Sequence, residues 1–342
     1  MKKNYILILI LVLLIGATAV VYFLKDSNKV KQQAHYDFSM ADTSKVDKIF
    51  ITDSEGKSIL LERVQGEELW DLNGQYKARK DAVDLLLKTF LRVKMKSPVG
   101  QNSQENVIRQ MLGTGRKCEI YVDGQLNKTW YIGTSTRDHY GTYMLLETPN
   151  LGKSSEPYIM EMTGFAGFLS PRFFTNEEEW RYTGFFRYPN LEFNRVEVIH
   201  HRRPEQSFSI LYNGGNDLKM LDQNQAEVAV FDTSRVKEYL LLYKKVHFES
   251  YDSRLSEAQE DSVINRGPDF TLKVIEKGGT EKYVQLFLMK AYRDLDDPEG
   301  NLYEWDPDQL YGSADGKDLV MSQHYTFDPL IQGLVNFVPS QK

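Results

Sequence analysis

The stretch YKARKDAVDLLLKTFLRVKMKSPV, Tyr76 to Val99, returns in altered letters as VFDTSRVKEYLLLYKKVHFESYD, Val230 to Asp252. Val83, Leu87, Phe90 and Val93 of the first recur as Val236, Leu240, Tyr243 and Val246 of the second. This spacing lines up one face of a helix. Each segment therefore reads as an amphipathic helix whose apolar stripe must be buried against another element. Asp81 in the first copy and Asp232 or Thr233 in the second are expected to cap the helix start, since a short polar side chain there accepts from a free backbone N–H.

The flanks agree in order. KVDKIFITDSEGKSILLERVQGEELWDLN precedes the first helix, with turn residues at Ser54-Glu55-Gly56. RVEVIHHRRPEQSFSILYNGGNDLKML precedes the second, with Pro204 and Gly214-Gly215 at the turns. Both read as strand, hairpin, strand, turn, strand. A smaller helix follows each copy: SQENVIRQML, ending at Gly113, and SEAQEDSVIN, ending near Gly267-Pro268. Alternating hairpins close the pattern, CEIYVDGQLNKTWYIG and FTLKVIEKGGTEKYVQLFL. Matching positions lie about 150–160 residues apart, too far for a solenoid period. The fold class expected is α+β, two duplicated domains, each an antiparallel sheet packed with helices. The domains expected are residues 45–163 and 195–342, joined by a connector over 164–194.

The chain has 342 residues, of which 26% are charged and 41% hydrophobic, a balance that favours a globular body over a disordered chain. Its net charge of -6 argues against a general nucleic-acid partner, which needs a basic face.

After the short tail of residues 1–4 comes YILILILVLLIGATAVVYFL, Tyr5 to Leu24, without one charge. A helix of that length spans roughly 30 Å, one hydrocarbon core. Ala17-Thr18-Ala19 imitates a signal-peptidase site, but the apolar run continues past it. A signal-peptide core is shorter, so a retained transmembrane anchor is expected. Lys2 and Lys3 precede the run while Lys25, Lys29 and Lys31 follow it, so charge alone does not orient it. The short tail and signal-like layout favour a body outside the cytoplasm. Residues 25–44 are polar, without apolar period, and read as a stalk.

The phrases YKARKDAVDLLL, KSPV, ENVIRQM, GTYMLLE, GFAGFLSPRFFTNEEEWR and VKEYLLLYKKVHFE, in this order, resemble the DUF4340 family. More narrowly, they are similar to its membrane-anchored members in Bacteroidota. The resemblance covers about residues 40–340. It implies no catalytic residue at any position. It does imply an envelope partner, because some relatives are associated with gliding-type ABC transporter components. With one hydrophobic span and no GxxxxGK[ST] loop, the chain is neither the pore nor the ATPase of such a transporter.

Several stretches invite a chemical reading. GTSTRDHYGTYM, Gly133 to Met144, gathers Arg137, Asp138, His139 and two tyrosines between glycines. LMKAYRDLDDPEGNLYEWD occupies the corresponding place in the second copy. There Arg293-Asp294 match Arg137-Asp138, and Gly300 and Tyr303 match Gly141 and Tyr143 after an insertion. A recurring turn is best explained by scaffold geometry. Only His139 is private to the first copy. Asp294, Asp296, Asp297 and Glu299 form an acidic loop without the spacing of a calcium loop. His200 and His201, adjacent on a strand, point to opposite faces, so no metal site is expected. Cys118 is the only cysteine, sits in an alternating strand, and reads as buried. No GxSxG occurs, and no catalytic residue or cofactor is assigned.

The connector is dense in aromatic and arginine residues. Its first reading is an inter-domain clamp with buried rings. The alternative is a partner-binding surface built from Phe173, Phe174, Trp180, Arg181, Phe185, Arg187 and Tyr188. Glu177-Glu178-Glu179 reads as a helix start or a solvated face. The function expected is a membrane-anchored, non-enzymatic accessory or scaffold protein in the inner membrane, its bulk periplasmic and its partner another envelope protein. The alternatives are a module or hydrolase acting on cell-wall glycan or peptide, and ligand capture between the two copies.

Overall fold

In a computed structural model, the residues described are 15–18, 20, 36–251, 253–291, 299–314, 316 and 318–339. The expected anchor, Tyr5–Leu24, lies outside them apart from residues 15–18 and 20, which are helical. Among the described residues no helix is long and apolar enough to cross a membrane. The chain divides into two units between Tyr182 and Thr183, and each is α+β with an antiparallel sheet.

The first unit begins earlier than its polar composition suggests. Residues 36–44 were expected as stalk. However, Phe38 and Met40 are buried in the first core, and the Met40 amide donates to the Phe90 carbonyl at 2.8 Å. Two apolar side chains in a polar stretch carry too little periodicity to be read as a folded edge, yet their burial fixes them there.

The strands that follow are β1 (Val46–Asp53), β2 (Ser58–Glu62), β3 (Asp71–Leu72) and β4 (Tyr76–Lys77). Then come helix α1 (Lys80–Arg92), β5 (Val93–Pro98), helix α2 (Gln101–Thr114), β6 (Arg116–Val122), β7 (Gln125–Ser135), β8 (Thr142–Thr148), β9 (Gly152–Lys153), β10 (Tyr158–Met162) and the single turn α3 (Glu177–Trp180). The sheet order is β4-β3-β2-β1-β6-β7-β8-β10-β5, with β9 paired to β8. Alternation puts Ile49, Ile51, Ile59, Leu61, Cys118, Ile120 and Trp130 on one face. There they meet Val83, Leu86 and Phe90 of α1. Trp130 is central, with edge-on rings of Phe90 at 5.0 Å and Phe38 at 5.8 Å. Burying each such large side chain contributes about 1.5–3 kcal/mol. The opposite face is covered in part by α2, whose Val107 and Met111 pack with Val99 and Leu145.

The second unit comprises β11 (Gly184–Phe186), β12 (Phe193–His200), β13 (Phe208–Gly214), β14 (Asp217–Asp222), α4 (Thr233–Leu241), β15 (Val246–His247), α5 (Glu257–Asn265), β16 (Phe270–Glu276), β17 (Glu281–Lys290), β18 (Trp305–Ala314), β19 (Val320–Gln323) and α6 (His324–Phe327). Its main sheet runs β14-β13-β12-β16-β17-β18-β19. Val236, Tyr239 and Leu240 of α4 pack on Val196, Val198, Phe208, Ile210, Leu272 and Val274. The bulge after Phe193 in β12 has its counterpart after Val46 in β1.

One of the two expected helix caps forms and the other does not. Asp232 is the N-cap of α4, accepting from the Arg235 amide at 3.0 Å. Asp81 lies inside the first turn of α1 and pairs with Arg79 at 2.6 Å, while Arg79, at the cap position, makes no side-chain capping bond to the helix backbone. The smaller helix α2 runs past Gly113 and stops at Gly115.

Candidate functional site

The loop between β7 and β8 is held by its own polar groups. The Thr136 amide donates to the Gly141 carbonyl at 2.9 Å, and the His139 amide donates to the Thr136 carbonyl at 3.0 Å. Asp138 accepts from the Thr136 hydroxyl and from the Tyr140 amide, and these bonds hold its carboxyl below the usual range. His139 sits at φ 59 with Nδ1 3.1 Å from the Ser135 hydroxyl and its ring beside Phe168. A Cβ on Gly141 would fall 2.5 Å from Ile159 Cγ2, so glycine is required there by contact. Asp138 thus serves as a turn residue. In the second unit, Arg293 and Asp294 lie outside the described residues, as do Asp296 and Asp297 of the acidic loop.

Strand register corrects one sequence match. Ile132 pairs with Met144 in the first unit, and Leu286 with Gly312 in the second. Counting across the sheets from Ile51–Cys118 and Val198–Leu272, Ile132 and Leu286 are equivalent, which puts Tyr143 level with Tyr311. Tyr303 precedes β18 altogether. The longer loop of the second unit displaced the sequence alignment.

The segment 164–194 is no separate connector. Phe173 and Trp180 are fully buried in the first core, and Phe186 and Tyr188 in the second. Phe174 is half-buried, stacked on Trp180 at 4.3 Å, and the Trp180 indole donates to the Phe174 carbonyl. Arg181 lies over the Tyr76 ring, 3.6 Å from its centre. Phe185 packs on Phe248, and the Tyr188 hydroxyl donates to Glu276 at 3.0 Å. Arg187 is exposed. Of the seven residues proposed as a partner surface, Phe173, Trp180 and Tyr188 are therefore core residues, because their apolar area is already spent inside each unit. Glu177 to Glu179 open α3, which Asn176 caps.

The histidines do not converge. His200 is buried, with Nε2 3.2 Å from the Gln332 carbonyl, whereas His201 is exposed and contacts the Thr271 hydroxyl. Among the described residues no group of three or more His, Cys, Asp or Glu side chains is placed to hold a metal. Cys118 is fully buried, and burial pushes its thiol well up.

What sequence reasoning missed is a cleft in the first unit, about 450 Å³, between α2 and the sheet. Its apolar floor is Ile108, Met111 and Leu145, with Leu112 at the rim. Two glycines let α2 sit this close. A Cβ on Gly133 would fall 2.6 Å from Met111 Cγ, and one on Gly115, at the end of α2, would fall 3.1 Å from the Ile132 carbonyl oxygen of the sheet. Arg116, Lys117 and Lys153 supply the charge. Lys117 pairs with Glu119 at 2.6 Å. Lys153 lies over the Tyr131 ring, 3.6 Å from its centre. Tyr131 donates to Glu147 at 2.6 Å, and burial with that bond pushes its hydroxyl up to about 12.

The one carboxylate on the wall, Asp53, is already occupied. It accepts from the Thr175 hydroxyl at 2.6 Å and from the Glu55 and Lys57 amides at 2.9 Å. Thr175 foremost, these bonds hold it below the usual carboxylate range. Arg116 is different, for its buried Nε has no hydrogen-bond partner among the described residues. A second opening, lined by Gly113, Thr114, Thr175 and Glu177, shares Asp53, Ser54 and Arg116 with the first. Set beside known proteins, the chain matches no family model and no curated protein.

Proposed function

We propose that this chain is an accessory or scaffold protein of the cell envelope and not an enzyme, a DUF4340-type protein held in the inner membrane by Tyr5–Leu24 with both units in the periplasm. Its partner is another envelope protein, of the kind found beside gliding-type ABC transporters. The observation that carries this reading is the uncharged run Tyr5–Leu24, long enough for a bilayer, on a chain whose two units follow one plan. The order β13-β12-β16-β17-β18-β19 matches β2-β1-β6-β7-β8-β10, with the first-strand bulge at the same place. We read this as internal duplication. A repeated scaffold offers comparable surfaces for protein contact.

Fusions at the C-terminus test the placement. An alkaline phosphatase fusion is expected to be active and a green fluorescent fusion dark, and the reverse pattern overturns a periplasmic body. Purification from native membranes in mild detergents is expected to bring down transporter subunits in fixed ratio. Recovery of the chain alone in every detergent overturns the accessory role.

A further inference from the structure

We propose that the groove between the β1–β2 turn, the end of α2 and residues 174–179 binds the C-terminal end of a short basic peptide. The peptide carboxylate lies at Arg116 and a side-chain ammonium at Glu177 and Glu179. The groove has a volume of about 760 Å³, room for a few residues, and its lining is mostly charged and polar. Register fixes the side on which Arg116 acts. It stands opposite Asp53 and two residues before the buried Cys118, so it faces the first core, as do Asp53 and the Thr175 bonded to it. The two opposite charges do not pair. Asp53 takes its bonds from Thr175 and from the Glu55 and Lys57 amides. Arg116 has no hydrogen-bond or ion-pair partner among the described residues, and of its nitrogens only Nε is closed off. Nη1 and Nη2 stay open, and a carboxylate bridges such a pair with two charge-assisted bonds. Glu177 and Glu179 accept from the Asn73 and Asn176 side-chain amides, with no cation on either among the described residues. An anion alone would be repelled by these two carboxylates, whereas a ligand carrying both charges complements both sides. Ser54 and Thr114 offer hydroxyls to the peptide groups between them.

The second unit shows that the scaffold does not need this arrangement. By strand register, Asp53 and Arg116 stand level with His200 and Phe270. Those two close on one another, their rings edge to face with centres 5.2 Å apart. The same pair of positions is thus packed rings in one unit and an unpaired guanidinium beside an engaged carboxylate in the other. The difference belongs to something the first unit does alone. The groove stands independently of the accessory role proposed above.

The test is isothermal titration of the full chain in a non-ionic detergent, with empty micelles as blank. Acetyl-Ala-Lys is the probe, since it carries one carboxylate and one ammonium. The controls are its C-terminal amide, which lacks the carboxylate, and acetyl-Ala-norleucine, which lacks the ammonium. One-to-one saturable binding of the probe is expected. Each control should bind at least about tenfold more weakly, the order of one charge-assisted bond. Arg116→Gln should weaken the probe about tenfold and leave the acid and its amide bound alike. Glu179→Gln should instead narrow the gap between the lysine and norleucine peptides, and Glu179 is exposed, so the fold tolerates it. Failure of the probe to saturate, either control binding as tightly as the probe, or binding unmoved by both substitutions overturns the proposal.

Discussion

Met111 of α2 rests on Gly133 of β7, so closely that a Cβ at residue 133 would meet Met111 Cγ at 2.6 Å and the Tyr143 carbonyl oxygen at 3.0 Å. The contact seats α2 on the sheet and so sets the floor of the cleft. Gly133→Ala is expected to destabilise the chain by about 1–3 kcal/mol through overpacking. Met111→Ala opens space, and the double variant should recover part of the loss. Urea unfolding of all four forms measures this, with a coupling of at least about 0.5 kcal/mol expected between neighbours. Strict additivity would contradict the contact.

Arg172 is a buried cation with no carboxylate partner among the described residues. Its Nη1 donates to the Thr89 hydroxyl at 2.7 Å and lies 3.0 Å from Met162 Sδ, and the guanidinium lies over the Phe165 ring. Burial pulls its pKa down, so the charge is held at a cost. Arg172→Met keeps much of the length and removes the charge. It is expected to be neutral or to stabilise by about 1 kcal/mol, as for other apolar replacements of buried charges. Thermal unfolding checks this, and a loss of several kcal/mol would mean that the charge itself organises the segment.

The two long helices start differently, and a pair of substitutions separates them. Asp232 accepts from the Arg235 amide, so Asp232→Ala removes a cap and should cost about 1 kcal/mol. Asp81 is not the cap and its side-chain partner is the exposed Arg79, so Asp81→Ala should cost about 0.5 kcal/mol or less. Equal losses by chemical denaturation would refute the distinction.

Both helices and most strands were legible in sequence because burial on one face forces a period. The 3.6 period of α1 and α4 and the alternation of β1, β6, β12 and β16 are such cases. Burial of single residues outside a period was not legible. Phe38 and Met40 sit in a polar stretch, and the aromatic segment from Phe173 to Tyr188 has a composition that suits a core and a surface equally. The cleft was hidden for a related reason. Lys117, Tyr131, Lys153 and Ile108 come from four elements, and only tertiary packing brings them together. The nearest local signals were Gly115 and Gly133, where close approach excludes a side chain.

His200 gives a pH dependence with a defined sign. It is buried at the end of β12 against Phe270, and burial foremost holds its pKa below the ordinary value. Its neighbours act in both directions. The Gln332 carbonyl and Glu205 favour the proton, whereas Arg203 and His201 oppose it. The unfolded histidine titrates near pH 6.5, so below about that pH the unfolded state binds more protons than the folded one. The contribution of His200 is therefore full above about pH 6.5 and is lost as pH falls through the lowered folded pKa. Unfolding free energies at pH 7.5 and pH 5 should differ more for the native chain than for His200→Gln, which cannot titrate. Carboxylates common to both chains cancel in that comparison. An equal pH dependence in the two would show that His200 does not change its proton occupancy on folding.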